Sequence, residues 1–146
     1  MVVRVRVKLK PLKGKSKKAI ETSALANSGF ASIVPEAVIP AKLARQLGFL
    51  PKLPEGARTE TYVSVAGTTR MQYIPNALEI TVSTTDREAG PVIVGATISR
   101  NESEVLLSDK LMDELKIQIL RPGAGLWRFS DDKPEVIRET TQAQEW

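Results

Sequence analysis

Residues 19–29, Ala-Ile-Glu-Thr-Ser-Ala-Leu-Ala-Asn-Ser-Gly, run an apolar, hydroxyl-bearing segment into Asn27-Ser28-Gly29, a cluster of strong turn formers. Composition bounds the chemistry that such a segment can carry. The chain of 146 residues has no histidine and no cysteine. That removes Ser-His-Asp and Cys-His nucleophiles, the imidazole general base, thiolates, disulfides and the usual zinc sites. Any catalysis therefore rests on carboxylates, lysine, tyrosine or hydroxyls. The first aspartate of the chain is Asp86, so none stands near the turn.

The elements that must position these groups fit one domain. A chain of this length buries enough surface for a single core, and 42% apolar residues is ordinary for a globular fold. The N-terminal Met-Val-Val-Arg-Val-Arg lacks the pattern of a signal peptide, and no apolar run approaches the roughly 18 residues of a spanning helix. The expectation is a soluble, cytoplasmic protein with no membrane partner. Charge is unevenly placed. Residues 1–20 hold eight Lys or Arg and no acid, whereas the rest of the chain is mildly acidic, so the net +4 belongs to the first segment. With no aromatic residue interleaved, that segment is read as a solvated strand face and a guarded edge rather than a nucleic-acid footprint.

Val3, Val5, Val7 and Leu9 alternate with Arg4, Arg6, Lys8 and Lys10, the period of a strand with one buried face. Pro11 to Lys18 supplies a turn, and Ala19 to Ala26 returns as the second strand of an antiparallel hairpin. Ser32 to Val34 is read as a short apolar piece, with Pro35 and Pro40 bracketing a connection. Pro40 to Gly48 reads as a short helix with proline at its start and glycine as its stop. Thr59–Val65 and Thr69–Ile74 form a hairpin around Ala66-Gly67-Thr68, followed by strands at Leu78–Ser83 and Val92–Ile98. Val105-Leu106-Leu107 is a buried run before a helix over Asp109–Leu115 with Ser108 as N-cap. Ile117–Leu120 and Leu126–Phe129 are the last strands. From Asp131 the tail is polar, ends in an exposed Trp146, and is expected to be loose in part or engaged with a partner chain. Many short strands and two short helices make a mainly β, closed barrel rather than a βαβ array.

Ala19 to Pro35, followed by Leu43-Ala-Arg-Gln-Leu-Gly48, resembles the active-site region of retropepsin-like aspartic peptidases, in which an apolar strand ends in Asp-Thr/Ser-Gly and a Leu-Ala-x-x-Leu-Gly helix follows. Tyr62 to Tyr73 is similar to the family's flap, and Glu104 to Ile117 to its terminal strand and helix. The likeness spans residues 2–120. It implies a single-lobe acid-protease-like barrel over residues 1–130, with residues 131–146 as a C-terminal tail, working as an aspartic-type endopeptidase on extended peptide or protein substrates. Because each lobe supplies one carboxylate, it also implies a homodimer with the dyad on its two-fold axis. No cofactor or metal is implied. Position by position, Asn27 stands at the catalytic aspartate, and Ser28 and Gly29 stand at the residues that brace the loop. Val65, Ala66 and Gly67 stand at the flap tip. Phe30 and Ala31 are substrate-binding candidates, with Val63 and Ile98 as further pocket walls.

The chain departs from that pattern at its most important position. An asparagine amide is nearly isosteric with a carboxylate but cannot take a proton from water near neutral pH, so hydrolysis by the dyad is not expected. Asn27 is either an inactivating substitution or the mark of a naturally inactive peptide-binding dimer. Ser108, where the family usually has glycine, is a second departure. A reading from another class remains: Gly29 to Glu36 with Leu43 to Gly48 also resembles swapped-hairpin transcription factors, which would turn the basic N-terminal hairpin toward DNA phosphates.

Overall fold

Alternation along the first strand is realised as read. In the computed structural model, which describes residues 2–26 and 29–146, β1 (Arg4–Pro11) buries Val5, Val7 and Leu9 and turns Arg6, Lys8 and Lys10 outward. Each of those three side chains contributes about 1.5–3 kcal/mol by leaving water. β1 pairs antiparallel with β2 (Ile20–Ala26), setting Lys8 opposite Glu21. Its other edge pairs with β5 (Gly67–Ser83), setting Lys10 opposite Glu79. Part of the basic charge is thereby balanced across strands.

That second pairing closes a barrel. Around it run β1, β2, β7 (Val105–Leu107), β3 (Glu36–Pro40), β6 (Glu88–Ser99) and β5, with β4 (Arg58–Ser64) added to β5 outside the ring. Helix α1 (Ala41–Gln46) buries Leu43 and Ala44, and helix α2 (Asp109–Glu114) buries Leu111 and Met112. Ser108 caps α2 as expected, its hydroxyl accepting from the Leu111 amide at 3.2 Å. A small sheet of β8 (Ile117–Arg121), β9 (Leu126–Phe129) and β10 (Arg138–Glu139) follows. Among the described residues, no helix is long and apolar enough to cross a membrane.

Three expectations are corrected. The strand lies at Glu36–Pro40, where a connection was read, while Ile33 is 92% exposed. This segment is buried at every position because β6 flanks it in parallel and β7 antiparallel, and a strand covered on both faces shows no alternation. The two strands expected at 69–74 and 78–83 are one 17-residue strand, kinked where Pro75, Asn76 (φ 48°) and Ala77 interrupt the register against β6.

The tail is likewise held in place, and Trp146 is half-buried against the core. The Thr141 amide donates to the Arg4 carbonyl at 2.9 Å. The Gln144 amide donates to Ser23 Oγ at 2.7 Å, and Trp146 Nε1 to Thr22 Oγ1 at 3.0 Å. Thr22 and Ser23 are fully buried polar residues, so the tail supplies partners that their hydroxyls would otherwise lack.

Arg138 locks β10 in place. Its guanidinium bonds Asp132 at 2.9 Å and Asp86 at 2.6 Å and lies 4.9 Å from the Phe129 ring centroid. Hydrogen bonding from Arg138 holds Asp86 and Asp132 below the usual carboxylate range, and Arg87, followed by Lys116, lowers Asp131 to about 2. Carboxyls with depressed folded-state values stabilise fully above their ordinary values and lose that contribution as pH falls through the folded ones. Tail fluorescence from Trp127 and Trp146 is therefore expected to stay native to about pH 4 and change progressively toward pH 2. Arg138→Met should remove that transition's protection and cost about 3 kcal/mol in denaturant melts, since Asp132 is left buried without its main partner.

Candidate functional site

The β4–β5 hairpin stands away from the barrel, with Val63 83% exposed and Val65 fully exposed at the tip beside Ala66 and Gly67. Between this hairpin and the barrel lies a cleft of about 390 Å³. Its hairpin side is Tyr62, Ala66, Thr69 and Met71; its floor is Val38 and Leu106, which are paired across β3 and β7. Gly29, Phe30, Ser99, Asn101 and Glu102 complete the lining. Phe30 is tied to the second helix through its carbonyl, which accepts from the Asp109 amide at 2.9 Å.

Of the residues singled out from the sequence, the cleft brings together Gly29, Phe30 and Ala66. Asn27 and Ser28 lie outside the described residues. Val65 and Gly67 sit at the hairpin tip beyond the cleft lining. Ala31 lines a neighbouring groove of about 370 Å³ on the other side of Tyr62. The two further wall candidates fall outside the cleft lining: Val63 points to solvent, and Ile98, 1% exposed, belongs to the core.

A buried polar cluster at the root of the hairpin was not read from the sequence. Glu36, 6% exposed, accepts hydrogen bonds on Oε1 from the hydroxyls of Thr97 and Tyr62, the latter at 3.0 Å, and those hydroxyl oxygens are 2.9 Å apart. The Glu36 amide donates to Ser108 Oγ at 3.1 Å, and the Ser108 amide returns a bond to the Glu36 carbonyl at 3.0 Å. One side chain thus links β4 and β6, while its backbone links β3 to the cap of α2. Burial, with the neighbouring Glu36 carboxyl adding to it, pushes the Tyr62 phenol up to about 12, so it remains a proton donor across the physiological range. Tyr73 is raised by burial as well, and its ring lies over Gly95, where any Cβ would collide with it.

Charge in the cleft is sparse. Glu102 is the charged residue of its lining and makes no salt bridge among the described residues, whereas Arg58 and Glu60, which pair with each other, line the neighbouring groove. Outside the cleft lining, one buried side-chain oxygen among the described residues lacks a hydrogen-bond partner: Asp109 Oδ1, on the residue whose amide holds the Phe30 carbonyl. No group of three Asp or Glu side chains among the described residues is placed to hold a metal ion.

The cluster has a measurable role in holding the hairpin. Tyr62→Phe leaves the buried Glu36 oxygen with one donor fewer and should cost about 1–2 kcal/mol of stability. Amide hydrogen exchange should quicken across residues 58–72 more than in β1 and β2, and Thr97→Val should reproduce that pattern. Comparison with protein-family models and with curated proteins finds no match to this chain.

Proposed function

We propose that this chain is the lobe of an aspartic-type endopeptidase that works as a homodimer, held by Asn27 in a form that binds extended peptides without hydrolysing them. The observation that carries the reading is the cleft, in which Gly29 and Phe30 of the turn segment share one lining with Tyr62, Ala66, Thr69 and Met71 of a projecting, glycine-tipped hairpin. Such a hairpin can offer backbone hydrogen bonds to an extended chain lying beneath it, the usual means of gripping a peptide irrespective of its side chains. The apolar floor of Val38 and Leu106 suits side chains of a peptide rather than a charged small molecule.

The resemblance implies the chemistry, and the chain's composition is compatible with it. Without histidine or cysteine, amide hydrolysis can be run by two adjacent carboxyls sharing one proton, one activating water and the other donating to the carbonyl oxygen; aspartic proteases are the standard instance of that splitting. One lobe offers one turn segment, so the pair requires a second copy related by a two-fold axis. Asn27 occupies the acid's position in each copy. The amide can hold hydrogen bonds there but cannot accept the water's proton.

Restoring the acid tests this directly. Asn27→Asp, assayed with a mixed peptide library from acid to neutral pH, should cleave with a bell-shaped profile set by the coupled pair. The parent chain should bind the same peptides, with chemical-shift changes at Gly29, Phe30 and Ala66, and leave them intact. A well-folded Asn27→Asp dimer that cleaves nothing overturns the endopeptidase reading.

A further inference from the structure

A second concavity, of about 800 Å³, is roughly twice the volume of the cleft and shares no lining residue with it. It lies where the turn after β1 meets the end of α1 and the loop leading to β4. Three lysines line it, Lys13, Lys15 and Lys52, against one acid, Glu55. None of these lysines, nor Lys17 and Lys18 beside them, makes a salt bridge among the described residues. They differ in this from the cations of β1, where Arg4 is bound by Glu104 at 2.7 Å and Lys8 and Lys10 face acids across the sheet. The excess charge of the first twenty residues is therefore concentrated at this one place.

Part of the wall is closely packed. A Cβ on Gly14 would stand 2.5 Å from the Gly48 carbonyl oxygen, and one on Gly48 would stand 2.6 Å from the Ser16 nitrogen. Both residues have positive φ, so the lysine-bearing turn is pinned against the end of α1 by contacts that only glycine permits. Half-buried Lys13 reaches across to the opposite loop, where its ammonium lies 3.5 Å from the position of a Cβ at Gly56. The cavity is sized for a small molecule. No aromatic side chain lines it, so it lacks the stacking surface by which single-stranded nucleic acids are held.

We infer that this cavity is a binding site for a compact, multiply charged phosphate anion, held by Lys13, Lys15 and Lys52. Three ammonium groups against one carboxyl call for a ligand of at least two negative charges. The site is independent of the peptide cleft and of the chemistry at residue 27.

Isothermal titration of the full chain with inorganic tripolyphosphate is the test. Saturable binding with one ligand per chain is expected, weakening steeply as salt rises. Amide shifts should be confined to residues 13–16, 48 and 52–56. Lys13→Met and Lys52→Met should each weaken binding about tenfold, the loss of one charge-assisted contact, while Lys133→Met leaves it unchanged. Unaltered thermal melts of the variants separate this effect from unfolding. Absence of saturable binding at low salt, or binding indifferent to Lys13→Met and Lys52→Met, overturns the inference. So does an oligothymidylate that binds more tightly than tripolyphosphate through the same lysines, which would make the surface one for nucleic acid.

Discussion

Strand β1 is hydrogen-bonded along both of its edges, to β2 on one side and to β5 on the other, and the barrel exists only because both pairings form. Without the contact between residues 7–11 and 78–82 the same strands would make an open sheet with two exposed edges, a template for aggregation. Closure also dictates where β5 can go. Its second half is committed to the ring, so its first half must project, and with β4 it becomes the hairpin that roofs the cleft. The outward lysines and arginines of β1 guard the edges until they are paired and balance facing acids afterwards.

Position within the cleft depends on a few buried polar contacts. Glu36 gathers the hairpin through Tyr62, the barrel through Thr97 and the second helix through Ser108. Such a network is strong only when every member is satisfied. The hairpin is consequently anchored at its root, while Val63 and Val65 near its tip are exposed. Arg138 does comparable work at the other end of the molecule, bringing Asp86 and Asp132 against the aromatic pair Trp127 and Phe129.

Much of this was legible in the sequence. The first hairpin could be read because one face is wet and the other buried, which imprints a period of two on Val3 to Lys10. The glycine-tipped hairpin, the capping serine and both helices were also visible, since each depends on residues adjacent in the chain. Strand β3 was not, because a strand buried on both faces leaves no alternation, and its flanking prolines carry the composition of a loop. The Glu36, Tyr62 and Thr97 cluster joins residues 26 to 61 positions apart, a spacing with no local signature. A polar tail is expected to be loose in part or engaged with a partner chain, yet its donors match buried hydroxyls on β2 that only the folded barrel brings within reach. Gly29, Phe30 and Ala66 could be proposed as neighbours only through the resemblance of the segments that carry them.

The bonds between Arg4 and Thr140, and between Thr22 and Trp146, join residues more than a hundred positions apart. During synthesis the earliest strands therefore emerge long before the partners that satisfy them, and β1 must wait for residue 78 and then for residue 140. Contacts this distant slow folding, since loop-closure entropy must be met before they add stability. The nascent chain holds an incomplete barrel for most of its elongation, with the edges of its early strands unpaired until the later ones arrive.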